Sequence, residues 1–150
     1  MKKLIFAATV VTMAVTTISC SKDDKHSESI IQKSELPSES IIFIDTYFSG
    51  NEILRIERDT KSADEYYEVY FVGGMSVDFD QSGRWTEVDG NNQAIQTGFI
   101  LPTIVDYVKV NYPTSAIESI DKKPYGFDVE LLNDIELRFN TTGVFLGLGK

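Results

Sequence analysis

One pattern occurs twice in this chain, and that repetition constrains its fold more than any other feature. Leu36-Pro37 opens a stretch that continues through Tyr47, Tyr67-Glu68-Val69, Val77-Asp78-Phe79 and Gly83. Leu101-Pro102 opens a second, through Tyr112, Phe127-Asp128-Val129, Leu137-Arg138-Phe139 and Gly143. The Leu-Pro and Tyr pairs lie 65 residues apart and the Val, Phe and Gly pairs 60 apart, so the copies differ by a net five residues in the middle. Such self-similarity marks one supersecondary unit used twice. Repeat one spans 36–90 and repeat two spans 101–148.

The first half of each copy has helical punctuation. Proline suits the first helical turn, where its missing N–H has no partner to lose, and Pro37 and Pro102 sit at that place. Ile104, Val105 and Val108 follow at helical spacing until Pro113 stops them, and Ile41, Ile42, Ile44 and Phe48 form a similar stripe ended by Ser49-Gly50. Both helices are β-branched and weak in propensity, so packing must hold them.

The second half of each copy alternates with period two. Tyr67, Val69, Phe71 and then Met75, Val77, Phe79 interleave with Glu68, Tyr70, Ser76 and Asp78 around Gly73-Gly74. Phe127, Val129, Leu131 and then Ile135, Leu137, Phe139 interleave with Asp128, Glu130, Glu136 and Arg138 around Asn133-Asp134. Each reads as a hairpin with one dry and one wet face. Ile53–Ile56 and Ile117–Ile120 add a preceding strand whose three-residue spacing points to a bulge. Trp85–Val88 and Val144–Leu148 add a following one. Each repeat is therefore one helix and about four antiparallel strands, an α+β unit whose helix covers the apolar face.

The N-terminus reads as a secretion signal of the lipoprotein kind over residues 1–19. Lys2 and Lys3 precede a short apolar run that ends in Thr17-Ile18-Ser19-Cys20, which resembles a lipobox with Thr17 in place of the usual Leu. Cys20 is the only cysteine, and acylation would consume it, leaving no disulfide. Ser21-Lys22-Asp23-Asp24 resembles a signal for export to the outer face of the outer membrane; the alternative is a periplasmic-facing anchor behind a plain charged tether. Residues 20–35 are expected to be the lipidated cysteine and a flexible linker. Residues 36–150 are expected to form one domain.

Charge excludes one class of partner. Removing Lys2 and Lys3 from the 14 basic residues leaves 12 against 23 acids, a net charge of −11. An acidic surface without a basic cluster repels phosphate backbones, so nucleic acid is not an expected partner.

The Leu-Pro helix starts, Tyr112-Pro113, Gly-Phe-Asp-Val-Glu-Leu at 126–131 and Glu-Leu-Arg-Phe-Asn-Thr-Thr-Gly at 136–143 resemble the PepSY-like, β-lactamase-inhibitor-like domains of bacterial lipoproteins. The resemblance covers residues 36–148 and is closer in the second copy. It implies two tandem α/β repeats in a continuous antiparallel sheet with helices on one face. Its motifs are packing and turn positions, and in that family no catalytic residues are established.

Candidate chemistry is sparse. His26, the sole histidine, falls in the linker, which leaves no Cys–His pair and no His-rich metal site. Asp78 with Asp80, and Asp128 with Glu130, have the alternation of a glycosidase carboxylate pair, but alternating acids are also how a strand solvates its outer face. Asp78-Phe79-Asp80-Gln81-Ser82-Gly83 followed by Asp89 spells a calcium loop with Asp78, Asp80, Ser82 and Asp89 as ligands. Against it stand an Asp where a bidentate Glu is expected, a preceding strand instead of a helix, and Arg138 at the equivalent place in the second copy. The preferred reading is a polar turn without metal, and no cofactor is expected. Asn140-Thr141-Thr142 is read as the same turn chemistry, not as a glycan acceptor. Tyr66 and Tyr70, among Glu68, Asp78 and Asp80, are the better lead: tyrosine gives contact area and a hydroxyl at low entropic cost. Trp85, with Phe145 at its equivalent place, is read as a partly buried core residue.

The expected function is a membrane-anchored, non-enzymatic binding module of the cell envelope that recognises a protein or peptide partner, with inhibition of a hydrolase as one version. A structural or accessory envelope lipoprotein binding a glycan or peptide is the alternative, and a carboxylate-dependent hydrolase is the weakest reading.

Overall fold

A computed structural model describes residues 28–149; the signal segment, Cys20 and His26 lie outside them. Nine strands form one sheet in chain order: β1 (Glu28–Ile30), β2 (Ile53–Asp59), β3 (Tyr67–Phe71), β4 (Ser76–Phe79), β5 (Trp85–Asp89), β6 (Ile117–Lys123), β7 (Gly126–Leu131), β8 (Glu136–Asn140) and β9 (Phe145–Leu148). Every neighbouring pair is antiparallel. Helix α1 (Ser38–Tyr47) precedes β2, and α2 (Pro102–Asn111) fills the connection between β5 and β6. The β5–β6 pairing, Val88 opposite Ile120, makes the sheet continuous across the middle of the chain.

Both helices lie on one face. Phe43 and Phe48 of α1 and its C-cap meet Phe79 and Phe71, while Tyr107 of α2 meets Phe139 and stacks on Phe145. The core is a row through the sheet, Ile56, Val69, Val77, Val88, Ile120, Val129 and Leu137, with the phenylalanines beside it. Each large side chain fully removed from water contributes roughly 2–3 kcal/mol, which holds helices of low propensity in place. Trp85 belongs to this layer: it is half-buried, stacked on Phe43, edge-on to Phe99 and capped by the Lys122 ammonium 3.6 Å above its ring.

The expected bulges fall where the three-residue spacing placed them, with register shifts between Ile53 and Arg55 and between Ile117 and Ser119. Two details differ from the expectation. Residues 28–35 are not linker: β1 pairs with β2, a 3-10 turn spans Lys33–Glu35, and Ile31 is buried. Their polar composition hid this, because an edge strand is held by backbone hydrogen bonds and needs few apolar side chains. The helices also align one residue off the Leu-Pro match. Pro37 is the N-cap of α1 and Pro102 is the first residue of α2, so Phe48 and not Tyr47 takes the C-cap place that Tyr112 takes in α2.

Candidate functional site

The face away from the helices is open, and pairing sets its polar residues in rows. Alternation puts Glu57, Glu68, Asp78, Glu87, Asp121 and Asp128 on this face of β2 to β7, and register makes them direct neighbours: Glu57 opposite Glu68, Glu68 opposite Asp78, Asp78 opposite Glu87, Glu87 opposite Asp121, Asp121 opposite Asp128. Arg138 on β8 ends the row. Neighbouring strands are about 4.8 Å apart, a spacing at which like charges destabilise one another.

The ends of the row are compensated. Arg55 bonds Glu57 at 2.7 Å and sits 3.6 Å over the Tyr70 ring; Lys123 pairs with Asp121; Arg138 lies 3.6 Å from Asp128 and 3.4 Å from Glu136. The Tyr125 hydroxyl also donates to Asp128 at 2.5 Å. The middle is not compensated. Among the described residues no Lys or Arg forms an ion pair with Glu68, Asp78 or Glu87. Burial, then Glu68, Glu87, Glu65 and Asp121 around it, push the Asp78 carboxyl up to about 8. Burial and then Asp121 raise Glu87 as well. Burial and the adjacent Glu68 likewise raise the Tyr70 hydroxyl. A cleft of about 140 Å³ lined by Asp64, Glu65, Thr86, Glu87, Asp121 and Lys123, among others, opens beside this middle section.

The residues expected to recognise a partner are only partly gathered here. Glu68, Tyr70 and Asp78 share the open face on β3 and β4. Tyr66, half-buried just before β3, has its ring 4.9 Å from Tyr67 and edge-on to it. Asp80 lies beyond β4 in a turn of its own making. Its Oδ1 accepts hydrogen bonds from the Ser82 amide (2.9 Å), the Ser82 hydroxyl (2.6 Å) and the Arg84 amide (3.0 Å), while Oδ2 meets the Arg84 guanidinium. Burial raises the Asp80 carboxyl, but the bonds from Ser82 and Arg84 outweigh it and hold the group below the usual carboxylate range.

Asn140 builds the same turn: its Oδ1 accepts from the Thr142 amide (3.0 Å), the Thr142 hydroxyl (2.8 Å) and the Val144 amide (2.9 Å). A neutral amide therefore suffices for this geometry. The four residues of the calcium-loop spelling do not converge, since Asp89 stands opposite Ser76 and accepts from the Asn91 amide. The carboxylates that do converge are Glu65, Asp78 and Glu87, each with an oxygen within 4.8 Å of the others. Sequence reasoning missed Glu65 and Glu87 because their meeting depends on β3–β4–β5 register. The alternation of acids on each strand was the only local signal.

No curated protein sequence matches the chain. Three crystal structures of Bacteroides proteins resemble most of it. One is a putative calcium-regulated periplasmic protein from Bacteroides thetaiotaomicron, 28% identical with a TM-score of 0.77, covering 82% of this chain and 97% of its own. Another, a putative periplasmic protein from Bacteroides vulgatus, is 27% identical with a TM-score of 0.74 over 87% of this chain and all of its own. The third, also from B. vulgatus and of unknown function, is 26% identical with a TM-score of 0.72, over 82% of this chain and 99% of its own. Among the described residues no helix is long and apolar enough to cross a membrane. Residues 65–147 match the family described as putative beta-lactamase-inhibitor-like, PepSY-like, and with a single antiparallel sheet, two helices on one face and periplasmic structural relatives, this chain belongs to that family.

Proposed function

We propose that this protein is a non-enzymatic binding module of the cell envelope, anchored through an acylated Cys20 at the outer membrane, and that its open sheet face docks a protein partner presenting basic side chains. The observation that carries this reading is the unbroken row of six acids on adjacent strands of an uncovered face. A row of one sign attracts and orients a partner of the other, raising association rate and specificity more than affinity. Tyr70, half-buried beneath Arg55, supplies the aromatic contact beside it. Inhibition of a hydrolase is the version that the family likeness suggests, and it rests on fold alone. The two helix-and-four-strand halves are taken as copies of one ancestral unit, which the paired Asp80 and Asn140 turns support.

A photo-crosslinking residue placed at position 70 in the anchored protein tests the face against one at Ile42, which is 65% exposed on α1. Adducts to a protein at 70 but not at 42, diminishing as salt is raised, are expected. Equal labelling at both places, or adducts indifferent to salt, would reject the acidic face as the docking surface.

A further inference from the structure

The acidic row contains one group that partner docking leaves unexplained. Asp78 is only 8% exposed, and among the described residues none donates a hydrogen bond to its Oδ1. A buried carboxylate in that condition is costly until a proton or a cation meets it. Among the described residues the charged groups that act on it are acids: Glu68 across on β3, Glu87 across on β5, Glu65 from the loop that leads into β3, and Asp121 on β6. Three of these carboxylates, from Glu65, Asp78 and Glu87, already converge to within 4.8 Å.

That spacing and donor type select an ion. Ligands on one Ca²⁺ sit about 2.3–2.6 Å from it and hence up to about 5 Å from one another, whereas the Mg²⁺ shell at about 2.0–2.1 Å limits that distance to roughly 4.2 Å. The donors are all hard oxygens with no imidazole or thiolate, which disfavours zinc. Two of the donors, Asp78 and Glu87, are fixed on paired strands, while the exposed Glu65 closes from a loop, giving a site with both rigid and adjustable ligands. A cleft lined by Glu65, Glu87 and Asp121, and also by Lys122 and Lys123, opens beside these ligands.

We propose that Glu65, Asp78 and Glu87 form a Ca²⁺ site on the open face of the N-terminal half of the sheet. The site does not use the turn at Asp80, whose oxygens are already bonded, and it does not depend on any protein partner.

The test is calorimetric titration of the chelator-treated full-length protein with CaCl₂ at pH 8.5, with melting curves in 1 mM CaCl₂ and in chelator. One ion per chain and a melting temperature several degrees higher with Ca²⁺ are expected. Asp78→Asn, which is isosteric, should abolish both effects. Glu65→Gln, at an exposed residue outside the core, should weaken binding at least tenfold, and Asp80→Asn should leave it unchanged. No heat with the unaltered protein, or unchanged binding in both Asp78→Asn and Glu65→Gln, would overturn the site and leave Asp78 as a protonated carboxyl. Equal affinity for MgCl₂ would overturn the assignment to Ca²⁺.

Discussion

At the third strand after each helix the two halves of the sheet make opposite choices. The C-terminal half places Arg138 there, 3.6 Å from Asp128 and 3.4 Å from Glu136, so that a cation lies among acids. The N-terminal half places Asp78 at the corresponding strand position, between Glu68 and Glu87, so that an acid lies among acids. The surroundings are otherwise alike: the same hairpin precedes, the same side-chain-to-backbone turn follows at Asp80 and Asn140, and a glycine at positive φ (Gly83, Gly143) approaches the helix in each. The scaffold thus tolerates either sign at this position. The difference lies in charge: the C-terminal half sets a cation beside its own acids, and among the described residues the N-terminal half sets none in an ion pair with Glu68, Asp78 or Glu87.

Substitutions can break or sharpen that contrast. The largest effect is expected at the shared turn. A Cβ at Gly83 would lie 2.6 Å from the Pro37 ring and 2.8 Å from the Ser40 hydroxyl at a φ of +89°, so Gly83→Ala should cost about 3 kcal/mol in urea unfolding. Gly143→Ala, meeting mainly the rotatable Thr103 side chain, should cost somewhat less. A neutral Gly143→Ala would mean that the two turns are not used alike.

Next is Asp78→Asn, expected to stabilise the metal-free protein at pH 7 by on the order of 2 kcal/mol, because the amide keeps the shape and, unlike the carboxyl, need not take up a proton on folding. Its pH dependence follows from the raised carboxyl. With its acid near 8 when folded and near the ordinary aspartate value when unfolded, the folded state holds the proton more tightly between those values. In chelator, stability should therefore fall as pH rises from about 4 to about 8 and then level, and Asp78→Asn should flatten that slope. Glu68, Glu87, Glu65 and Asp121 face the group and, among the described residues, no Lys or Arg forms an ion pair with it, so the sign is not offset locally. A slope of the opposite sign in the unaltered protein would remove Asp78 as its source.

Arg138→Gln should act oppositely, costing about 1 kcal/mol in dilute buffer and less as salt screens its pairs with Asp128 and Glu136. The loss is modest because the Arg138 side chain is 37% exposed and its pairs are solvent-screened. Smallest is Asp80→Asn, which keeps the acceptor oxygen that Asn140 uses and loses only an ion pair to a largely exposed Arg84. A change below about 0.5 kcal/mol is expected in thermal melts. A large loss would show that the Asp80 turn needs its charge.

Much of the fold was legible because it rests on local rules. Period-two alternation marked the dry faces of β3, β4, β7 and β8, and Leu-Pro and Tyr-Pro marked the limits of α2. The three-residue spacings marked the bulges at Ile53–Arg55 and Ile117–Ser119, though not the register shifts at Asp78–Phe79 and Arg138–Phe139. β1 was not legible, since a three-residue edge strand leaves almost no side-chain pattern. Neither was the connection after β5, whose Ile95, Phe99 and Ile100 pack into or against the core from a segment without periodicity. For the site, the polar character of Glu68, Tyr70 and Asp78 was evident, but Glu65 and Glu87 were not connected to them.

The amino-acid sequence alone determined which face of the hairpin strands is wet and where the turns close, because these depend on a residue and its near neighbours. Which acids meet was decided only by the tertiary structure. A strand's alternation fixes the side on which a carboxylate emerges but not its height against the next strand, and a shift of two residues preserves the face while changing every neighbour. The bulges and turns that set the β3–β4–β5 register bring Asp78 between Glu68 and Glu87, and the loop before β3 adds Glu65.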